Sequence, residues 1–190
     1  MKTSIGANTL ACPNPVWCVG SYDADGKANV MTIAWGGICC SKPPAVTVSL
    51  RKATHTYGSI MARKAYTVSV PSEKYVAEAD YFGLVSGKNT DKFQTTGLTA
   101  KRSEVVDAPY VDEFPLIIEC KLIHTFDLGL HTQFVGEIVD IKADTEAVNI
   151  KGQPMLDKLA PFVFGPGIQE YWSLGKLVGQ AFSAGKKYLK

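Results

Sequence analysis

Apolar and polar residues alternate with a period of two over roughly the first 140 residues, and this pattern constrains the fold more than any other feature of the chain. In residues 45–50 (AVTVSL), Val46, Val48 and Leu50 alternate with Thr47 and Ser49. The same alternation recurs in residues 65–70 (AYTVSV). Because successive side chains of a strand point to opposite faces, both segments are predicted to be half-buried β-strands.

Four further segments are typical of paired antiparallel strands. Residues 15–23 and 27–39 flank an Asp25-Gly26 pair, which is a strong hairpin signal. Residues 116–129 and 131–144 predict two long strands with a turn near Gly129. At least six strands in one chain indicate a closed or partly split barrel, because closure removes exposed sheet edges.

Three shorter segments predict helices. Residues 54–64 have room for about two turns, with Thr56 or Ser59 as the cap. Residues 74–87 predict a second helix that ends in a polar loop. Near the carboxyl end, helical spacing of apolar residues predicts an amphipathic helix with Leu174, Leu177, Val178, Ala181 and Phe182 on one side.

Size and charge narrow the class of protein. The chain has 190 residues, which suits one domain, and its net charge of +2 comes from scattered lysines and arginines. Scattered charge argues against nucleic-acid binding, and no stretch approaches the roughly 20 consecutive apolar residues that span a bilayer. We therefore expect a cytoplasmic protein without a membrane or nucleic-acid partner.

The five cysteines show neither a disulfide framework nor a metal-binding pattern. Their number is odd and no CxxC pair occurs, so we expect no metal site. Cys39 and Cys40 are adjacent, but neighbouring side chains of a strand point to opposite faces. We expect these two thiols to remain unbridged.

Residues 48–56 (VSLRKATHT) end a predicted strand with five hydrogen-bonding side chains. Arg51 and Lys52 are cationic, and Thr54, His55 and Thr56 follow where the short helix is predicted to begin. One interpretation is an ordinary polar strand end at the surface. The other is an anion site, because a guanidinium fork, hydroxyls and the free N–H groups of a helix amino terminus suit a phosphate monoester.

Three stretches together carry a resemblance to a known family: NVMTIAW at 29–35, SLRKATHT at 49–56 and GLHTQFVGEIVDI at 129–141. In this order and at these separations, they resemble the flavin reductase-like family of FMN-binding split barrels. The resemblance implies a mainly β, six-stranded antiparallel Greek-key split β-barrel with a few peripheral helices. It further implies one domain over residues 1–190, with a barrel core at 10–145 and an extension containing a helix at 146–190.

The resemblance also implies a cofactor and an assembly. FMN is expected in a groove at the interface of a homodimer. On the SLRKATHT match, Arg51, His55 and Thr56 hold the FMN phosphate or ribityl chain together with Thr54. Ser49 and Leu50 line the approach to that position. A loop histidine with satisfied hydrogen bonds is the alternative for His55.

The NVMTIAW match assigns the flavin ring edge to Asn29, Val30, Met31 and Thr32. Backbone N–H donors there would stabilise negative charge on the reduced ring. Met31 is expected mainly to pack, with only its main chain near the ring. Trp35 either packs near the ring or is a buried core tryptophan.

Four more residues complete the predicted site. The loop at 86–93 resembles the family's cofactor-closing loop, so Ser86 and Lys92 are predicted to contact FMN, with a solvated lysine as the alternative. His131 corresponds to a histidine near the flavin and nicotinamide region and is the predicted catalytic residue, unless it is structural. Phe164 is predicted to form an aromatic wall for the flavin, either of its own subunit or of the partner subunit, with plain interface packing as the alternative.

Three functions are compatible with these features. The first is an electron-transfer flavoprotein with resident FMN, which exchanges electrons with a redox protein or a small molecule and serves sulfite or thiosulfate reduction. The second is an NAD(P)H-dependent flavin reductase. The third is a noncatalytic ligand-binding barrel, although the aromatic and basic stripe needed for nucleic acid is missing.

Overall fold

The computed structural model describes residues 1–189, which contain twelve strands and four α-helices. The strands are β1 (Asn14–Pro15), β2 (Trp17–Tyr22), β3 (Ala28–Ile33), β4 (Gly36–Ser41), β5 (Pro44–Arg51), β6 (Ala65–Val70), β7 (Ala100–Arg102), β8 (Pro109–Val111), β9 (Leu116–Asp127), β10 (His131–Ala143), β11 (Phe162–Gly165) and β12 (Glu170–Ser173). The helices are α1 (His55–Arg63), α2 (Val76–Leu84), α3 (Lys92–Thr96) and α4 (Leu156–Leu159). Short 3₁₀ turns occupy Glu73–Tyr75, Thr145–Ala147 and Lys186–Tyr188.

The main sheet has seven strands in the order β3-β2-β6-β9-β10-β5-β4, and each neighbouring pair is antiparallel. Its two outer strands, β3 and β4, are joined by Ala34 and Trp35 alone. In a flat sheet they would lie about 29 Å apart, whereas so short a link spans only about 10 Å. The sheet must therefore curl until β3 and β4 approach each other. The Ser49 N–H donates to the Trp35 carbonyl (2.9 Å), which extends the β4–β5 ladder to the link between β3 and β4.

This architecture confirms the prediction of a mainly β split barrel, with two differences in detail. Residues 27–39 form two strands rather than one, because the chain turns between Ile33 and Gly36 to reach the opposite edge of the sheet. Strand β6 is buried on both faces rather than half-buried. Its second face is covered by β8, where the Thr67 hydroxyl donates to the Pro109 carbonyl (2.6 Å).

Both predicted hairpins are present. Tyr22 pairs with Ala28 across the first, whose turn contains Gly26 at φ 79°. Gly129 lies in the turn between β9 and β10 at φ 90°. These positive φ angles favour glycine because a Cβ would clash with the backbone.

Two apolar clusters flank the barrel wall. The first fills the barrel and includes Val48, Tyr66 and Phe134. The second lies outside the wall and includes Phe82 and Phe114. Helix α1 packs against β2, β3, β5 and β6, while α2 packs against β2 and β3. Strand β3 is therefore contacted by both helices, which places the end of α2 near the start of α1.

The amphipathic helix predicted near the carboxyl end is not formed. Residues 170–173 belong to β12, and the chain from 174 to 185 has no regular helix. Three glycines at 175, 179 and 185 disfavour helix, and an isolated helix of about a dozen residues is marginal without tertiary packing. The prediction used apolar spacing and the position of Lys186 and Lys187 at the helix end, whereas residues 174–189 are all exposed in the structure.

Among residues 1–189, no helix is long and apolar enough to cross a bilayer. All five cysteines carry free thiols, and Cys39 and Cys40 are exposed on β4. Within residues 1–189, no three or more His, Cys, Asp or Glu side chains come together in a way that could hold a metal ion.

Candidate functional site

Two adjoining cavities lie where α1, α2 and β3 meet, and Gly83 and Leu84 line both. The first, which we call the polar groove, has a volume of about 260 Å³ and is lined by Met31, residues 53–56, residues 83–87 and Lys92. The second, the aromatic groove, has a volume of about 480 Å³ and is lined by Val16, residues 32–34, Asp80, Gly83, Leu84, Phe164, Gln169 and Tyr171. The shared residues make them two halves of one elongated site.

The amino terminus of α1 opens into the polar groove without a side-chain cap. Thr54 is the N-cap residue, but its hydroxyl donates backwards to the Arg51 carbonyl (2.8 Å). The first turn contains no acidic residue. Because the first N–H groups of a helix lack internal partners, those of His55 and Thr56 remain available to an anion. The predicted caps were wrong, since Thr56 and Ser59 both lie inside the helix.

The Thr56 hydroxyl is positioned by Asn29. Thr56 is 1% exposed, and its Oγ1 accepts a hydrogen bond from Asn29 Nδ2 (2.9 Å). Within residues 1–189 the hydroxyl proton has no acceptor, and Asn29 Oδ1 is buried without a partner. A buried orphan polar atom is costly unless a ligand or water satisfies it. Asn29 therefore orients Thr56 instead of contacting solvent itself.

His55 contributes a second unsatisfied group. Its Nε2 is buried without a hydrogen-bond partner among the described residues. The nearest charge is Asp23, whose Oδ2 lies 3.6 Å away. Asp23 also accepts the backbone N–H groups of Asp25 and Lys27, which fixes the β2–β3 turn. Sequence reasoning missed Asp23, although the Asp25-Gly26 hairpin beside it marked the location.

Gly87 brings the loop after α2 against these side chains. A Cβ at this position would lie 1.9 Å from Asn29 Oδ1 and 3.3 Å from His55 Cδ2. Only glycine allows so close an approach without moving Asn29. The loop also carries Ser86, which lines the polar groove as predicted.

Lys92 forms one wall of the polar groove but is not a solvated lysine. Its side chain is 3% exposed, and Nζ donates to the carbonyls of Val30 and Phe82 (2.7 Å each). These bonds join β3 to the end of α2. Burial lowers the pKa of Lys92 to about 8. The residue therefore places a positive charge behind the groove at neutral pH.

The stability contributed by Lys92 should rise with pH. Because burial lowers its pKa from 10.5 to about 8, the folded state binds fewer protons than the unfolded state between these values. Folding is therefore favoured progressively from about pH 8 to 10.5. Urea unfolding would be used to measure the free energy of unfolding of the wild type and of Lys92→Met. The difference between them should shift by roughly 1–2 kcal/mol in favour of the wild type between about pH 7.5 and 9.5. A difference that does not change with pH would contradict the burial of the ammonium group.

The aromatic groove combines apolar walls with one polar pair. Phe164 from β11 packs near Tyr171 from β12, with ring centroids 5.9 Å apart. The Tyr171 hydroxyl donates to Asp80 Oδ1 (2.7 Å). Thr32 donates to the Ala79 carbonyl and contacts the buried Cys18 thiol, so its hydroxyl is directed at α2. Such a cavity suits a flat ring with a polar edge.

The structure brings eight of the predicted site residues to the two grooves. Met31, Thr54, His55, Thr56, Ser86 and Lys92 line the polar groove, and Thr32 and Phe164 line the aromatic groove. Sequence reasoning missed Asp80, Gln169 and Tyr171, because they are brought together only by packing of α2 against the β11–β12 hairpin.

Two predicted site residues have buried side chains. Val30 is 0% exposed and Leu50 is 1% exposed, and both side chains lie in apolar clusters. Burial alternates along the second half of β5, which directs Leu50 into the core, and Val30 belongs to the apolar cluster that contains Phe82. The Val30 carbonyl accepts a hydrogen bond from Lys92, which lines the polar groove. The contacts of Val30 and Leu50 with a cofactor stay predictions.

Four other predicted residues lie outside the lining of both grooves. Ser49 and Trp35 are half-buried, and the Ser49 N–H donates to the Trp35 carbonyl beside the link between β3 and β4. Arg51 is exposed at the end of β5 and pairs with His131 in the β5–β10 register. Arg51 and His131 are therefore neighbours at the end of the β5–β10 pair. In the sequence, Arg51 precedes the α1 N-cap, Thr54, by three residues. Their contacts with a cofactor stay predictions.

Residues 9–158 match the family model described as the flavin reductase like domain. The chain therefore belongs to the flavin reductase-like family. It is similar to the flavoredoxin of Desulfovibrio vulgaris (Miyazaki F), with 53% identity and a TM-score of 0.94 over 98% of this chain and 100% of that chain. It is also similar to a flavoredoxin from Methanosarcina acetivorans, with 30% identity and a TM-score of 0.90 over 98% of each chain.

Curated relatives share part of their length with this chain. A high molecular weight rubredoxin from Moorella thermoacetica is 33% identical over 117 residues, which are 60% of this chain and 48% of the rubredoxin. An Archaeoglobus fulgidus protein is 29% identical over 115 residues, which are 65% of that protein. The chain thus spans about half to two thirds of the length of these two relatives.

Proposed function

We propose that this chain holds FMN in the joined grooves and transfers electrons through it. The observation that carries the proposal is the continuity of an uncapped helix amino terminus with an aromatic-walled cavity. FMN has a phosphate monoester at one end and a flat ring at the other. Family membership and the similarity to two flavoredoxins support the same cofactor.

The residues present fit FMN at its phosphate end. The N–H groups at the start of α1 and the Thr56 hydroxyl are free donors, and His55 Nε2 is buried without a partner among the described residues. Lys92 adds positive charge behind the groove, and the proposal assigns to the phosphate the guanidinium of Arg51, which is exposed three residues before the α1 N-cap. Charge-assisted hydrogen bonds of this kind are the strong ones in phosphate recognition.

The residues also fit the ring end. Phe164 and Leu84 supply apolar contact, while Thr32 and neighbouring main-chain groups of β3 lie at the edge. When bound, FMN supplies the capacity to accept and release electrons singly or in pairs. The protein's part is to hold the ring, limit its contact with water and place N–H donors where negative charge develops.

We favour an electron carrier over a flavin reductase because the cofactor pocket is built from buried, fixed groups. Thr56, Asn29 and Lys92 are all below 5% exposed, which favours resident rather than released FMN. Sulfite or thiosulfate reduction, a cytoplasmic location and a redox protein as donor or acceptor belong to this proposal. An NAD(P)H-dependent flavin reductase is the second candidate, with His131 as the residue nearest the nicotinamide.

The proposal includes a homodimer in which the second copy completes the cofactor site. Arg51 and His131 lie on the surface beside the β9–β10 turn, where Phe126, Leu128 and Leu130 are exposed. An apolar patch rimmed by polar residues is typical of a protein interface. Residues 1–190 then form one FMN-binding domain, with the barrel at 10–145 and the extension at 146–190.

Replacement of Thr56 by valine should weaken FMN binding by about 10- to 100-fold, because a charge-assisted hydrogen bond contributes roughly 1.5–3 kcal/mol. Valine keeps the shape of threonine but removes the hydroxyl from the start of α1. FMN dissociation constants would be measured by fluorescence quenching. Thr99→Val, an exposed position just before β7 that lines neither groove, is the matched control and should bind as the wild type does. Equal affinity of both variants would remove Thr56 from the phosphate site.

The visible spectrum of the purified protein, followed by chromatography of the released cofactor, tests the function itself. Stoichiometric FMN that is bleached slowly by NADH or NADPH would support the carrier. Rapid anaerobic bleaching by either nicotinamide with release of reduced flavin would support the reductase. A colourless protein that does not bind added FMN would contradict both.

A further inference from the structure

Asp23 lies in the turn between β2 and β3 and contacts both ends of α1. Its Oδ1 accepts the backbone N–H groups of Asp25 (3.0 Å) and Lys27 (2.8 Å), which holds the carboxylate in one orientation. Its backbone carbonyl accepts hydrogen bonds from Nε (3.2 Å) and Nη2 (2.6 Å) of Arg63, in the last turn of α1. The second carboxylate oxygen, Oδ2, lies 3.6 Å from His55 Nε2 in the first turn. The hairpin therefore fixes a negative charge beside the ring of His55.

The ring of His55 has one enclosed edge and one open edge. Nε2 is buried without a hydrogen-bond partner among residues 1–189, and Cδ2 would lie 3.3 Å from a Cβ at Gly87. The side chain is nevertheless 25% exposed, so its accessible part is on the Nδ1 and Cε1 side of the ring. His55 also lines the polar groove. Nδ1 is therefore the ring nitrogen left for a ligand in that groove.

The surroundings of Nε2 favour a proton on this nitrogen. A separation of 3.6 Å from a carboxylate oxygen is too long for a hydrogen bond, but the electrostatic interaction at this distance is strong. A lone pair on Nε2 would face the negative charge, whereas an N–H bond is attracted to it. Asn29 Oδ1, a second acceptor without a partner in the described chain, lies against the same Gly87 position. Neutral His55 therefore carries its proton on Nε2, which leaves Nδ1 as an acceptor.

An acceptor at Nδ1 does not suit a phosphate dianion, because the phosphate oxygens are acceptors too. The ring becomes a donor toward the groove only when Nδ1 takes a second proton from solvent. We propose that Asp23 is a positioning residue that fixes the tautomer of His55, so that the ring binds the FMN phosphate only as a cation and with uptake of one proton. This inference rests on the proposed FMN site and adds a proton-linked control of cofactor release.

Asp23→Asn tests the tautomer without changing the size of the side chain. Its amide oxygen can still accept the N–H groups of the turn, while Nδ2 donates to His55 Nε2 and moves the neutral ring's proton to Nδ1. Between about pH 7 and 9 the phosphate stays dianionic, because its second pKa is about 6. Over this range the FMN dissociation constant, measured by fluorescence quenching, should rise about tenfold more in the wild type than in Asp23→Asn. Asp25→Asn removes an exposed carboxylate from the same turn and should keep the wild-type pH dependence.

Other charged groups near His55 are the same in the wild type and in Asp23→Asn. By element, they are Arg51 and Lys52 at the end of β5, Asp25 and Lys27 in the β2–β3 turn, Arg63 in α1, Lys88 in the loop after α2, and Lys92 in α3. Lys92 lines the polar groove with His55, and burial lowers its pKa to about 8, so it also loses charge in this range. Because Lys92 is present in both proteins, the difference between their pH dependences reports on Asp23 and His55.

Nitrogen-15 NMR of the FMN-loaded protein, labelled at histidine, observes the ring directly. The chain has three histidines, so the His55 signals are identified by their loss in His55→Gln. Both ring nitrogens of His55 should be protonated in the loaded wild type at about pH 7, whereas loaded Asp23→Asn at about pH 9 should show a neutral ring with its proton on Nδ1. A neutral ring in the loaded wild type at about pH 7 would overturn the inference, even if Asp23→Asn does not fold.

The outcomes separate this inference from the proposal on which it rests. A wild-type protein that does not bind FMN would overturn the proposed function and the role of Asp23 together. Tight binding with the same pH dependence in the wild type and Asp23→Asn would overturn the role of Asp23 alone. A loss of affinity in Asp23→Asn that is equal at every pH would show that the carboxylate only shapes the turn, and would likewise overturn the inference.

Discussion

Gly87→Ala should lower FMN affinity by at least tenfold while leaving the barrel folded. A Cβ at residue 87 would lie 1.9 Å from Asn29 Oδ1, so either the loop or Asn29 must move. Asn29 is 4% exposed and donates to Thr56, so its displacement also misplaces the hydroxyl at the start of α1. Small misplacements of binding groups are expensive because hydrogen bonds weaken steeply with distance and angle.

The control for this substitution is Gly58→Ala. Gly58 lies inside α1, and a Cβ there meets nothing within 4 Å. Alanine in a helix interior is more favourable than glycine by roughly 0.5–1 kcal/mol, so this variant should be slightly more stable and bind FMN normally. FMN titration and thermal unfolding of the two variants check both effects. Normal affinity of Gly87→Ala would show that the loop after α2 does not shape the site.

Lys142→Met should reduce the free energy of unfolding by about 3–5 kcal/mol, because it leaves a buried charge without its partner. Glu119 is 0% exposed and is bonded to Lys142 Nζ, which also contacts Asp140 (3.1 Å). Burial opposes the charge of Lys142, but the bonds to Glu119 and Asp140 outweigh it and raise its pKa. The carboxylate of Glu119 has no other partner among the described residues.

Urea unfolding with saturating FMN in all samples measures this loss. Lys121→Met is the matched control, because Lys121 is exposed on the same strand as Glu119 and its loss should change stability by no more than about 0.5 kcal/mol. The double variant Glu119→Gln/Lys142→Met should recover much of the stability, since no uncompensated charge remains. Equal free energies of unfolding for Lys142→Met and Lys121→Met would contradict the buried ion pair.

The sequence predicts the barrel well because the signals for its strands and turns are local. Alternation in β5, the Asp25-Gly26 turn and Gly129 between β9 and β10 each depend on a few neighbouring residues. The split of residues 27–39 into β3 and β4 was not predictable in this way. It follows from the closure of the sheet, which requires the chain to cross from one edge to the other at Ala34 and Trp35.

The candidate site was predictable in part for the same reason. Thr54, His55 and Thr56 follow a strand and lie at the start of a helix, so the sequence alone predicts an anion site there, and the structure places all three in the lining of the polar groove. Asp23, Asp80 and Tyr171 were missed because each comes from a different element and carries no local pattern. Leu50 was assigned to the approach to the site through the resemblance of the SLRKATHT stretch, whereas strand alternation directs its side chain into the core.

The strand-rich class, the hairpins and the group of polar residues that follows β5 could be predicted from the sequence, because all depend on near neighbours. Only the tertiary structure decided which side chains meet across the groove and that Lys92 is buried. It also decided that residues 174–189 are left uncovered, since helical spacing indicates a face to be buried but not the surface that buries it. Burial and pairing are properties of distant segments in contact, and one segment's pattern cannot specify them.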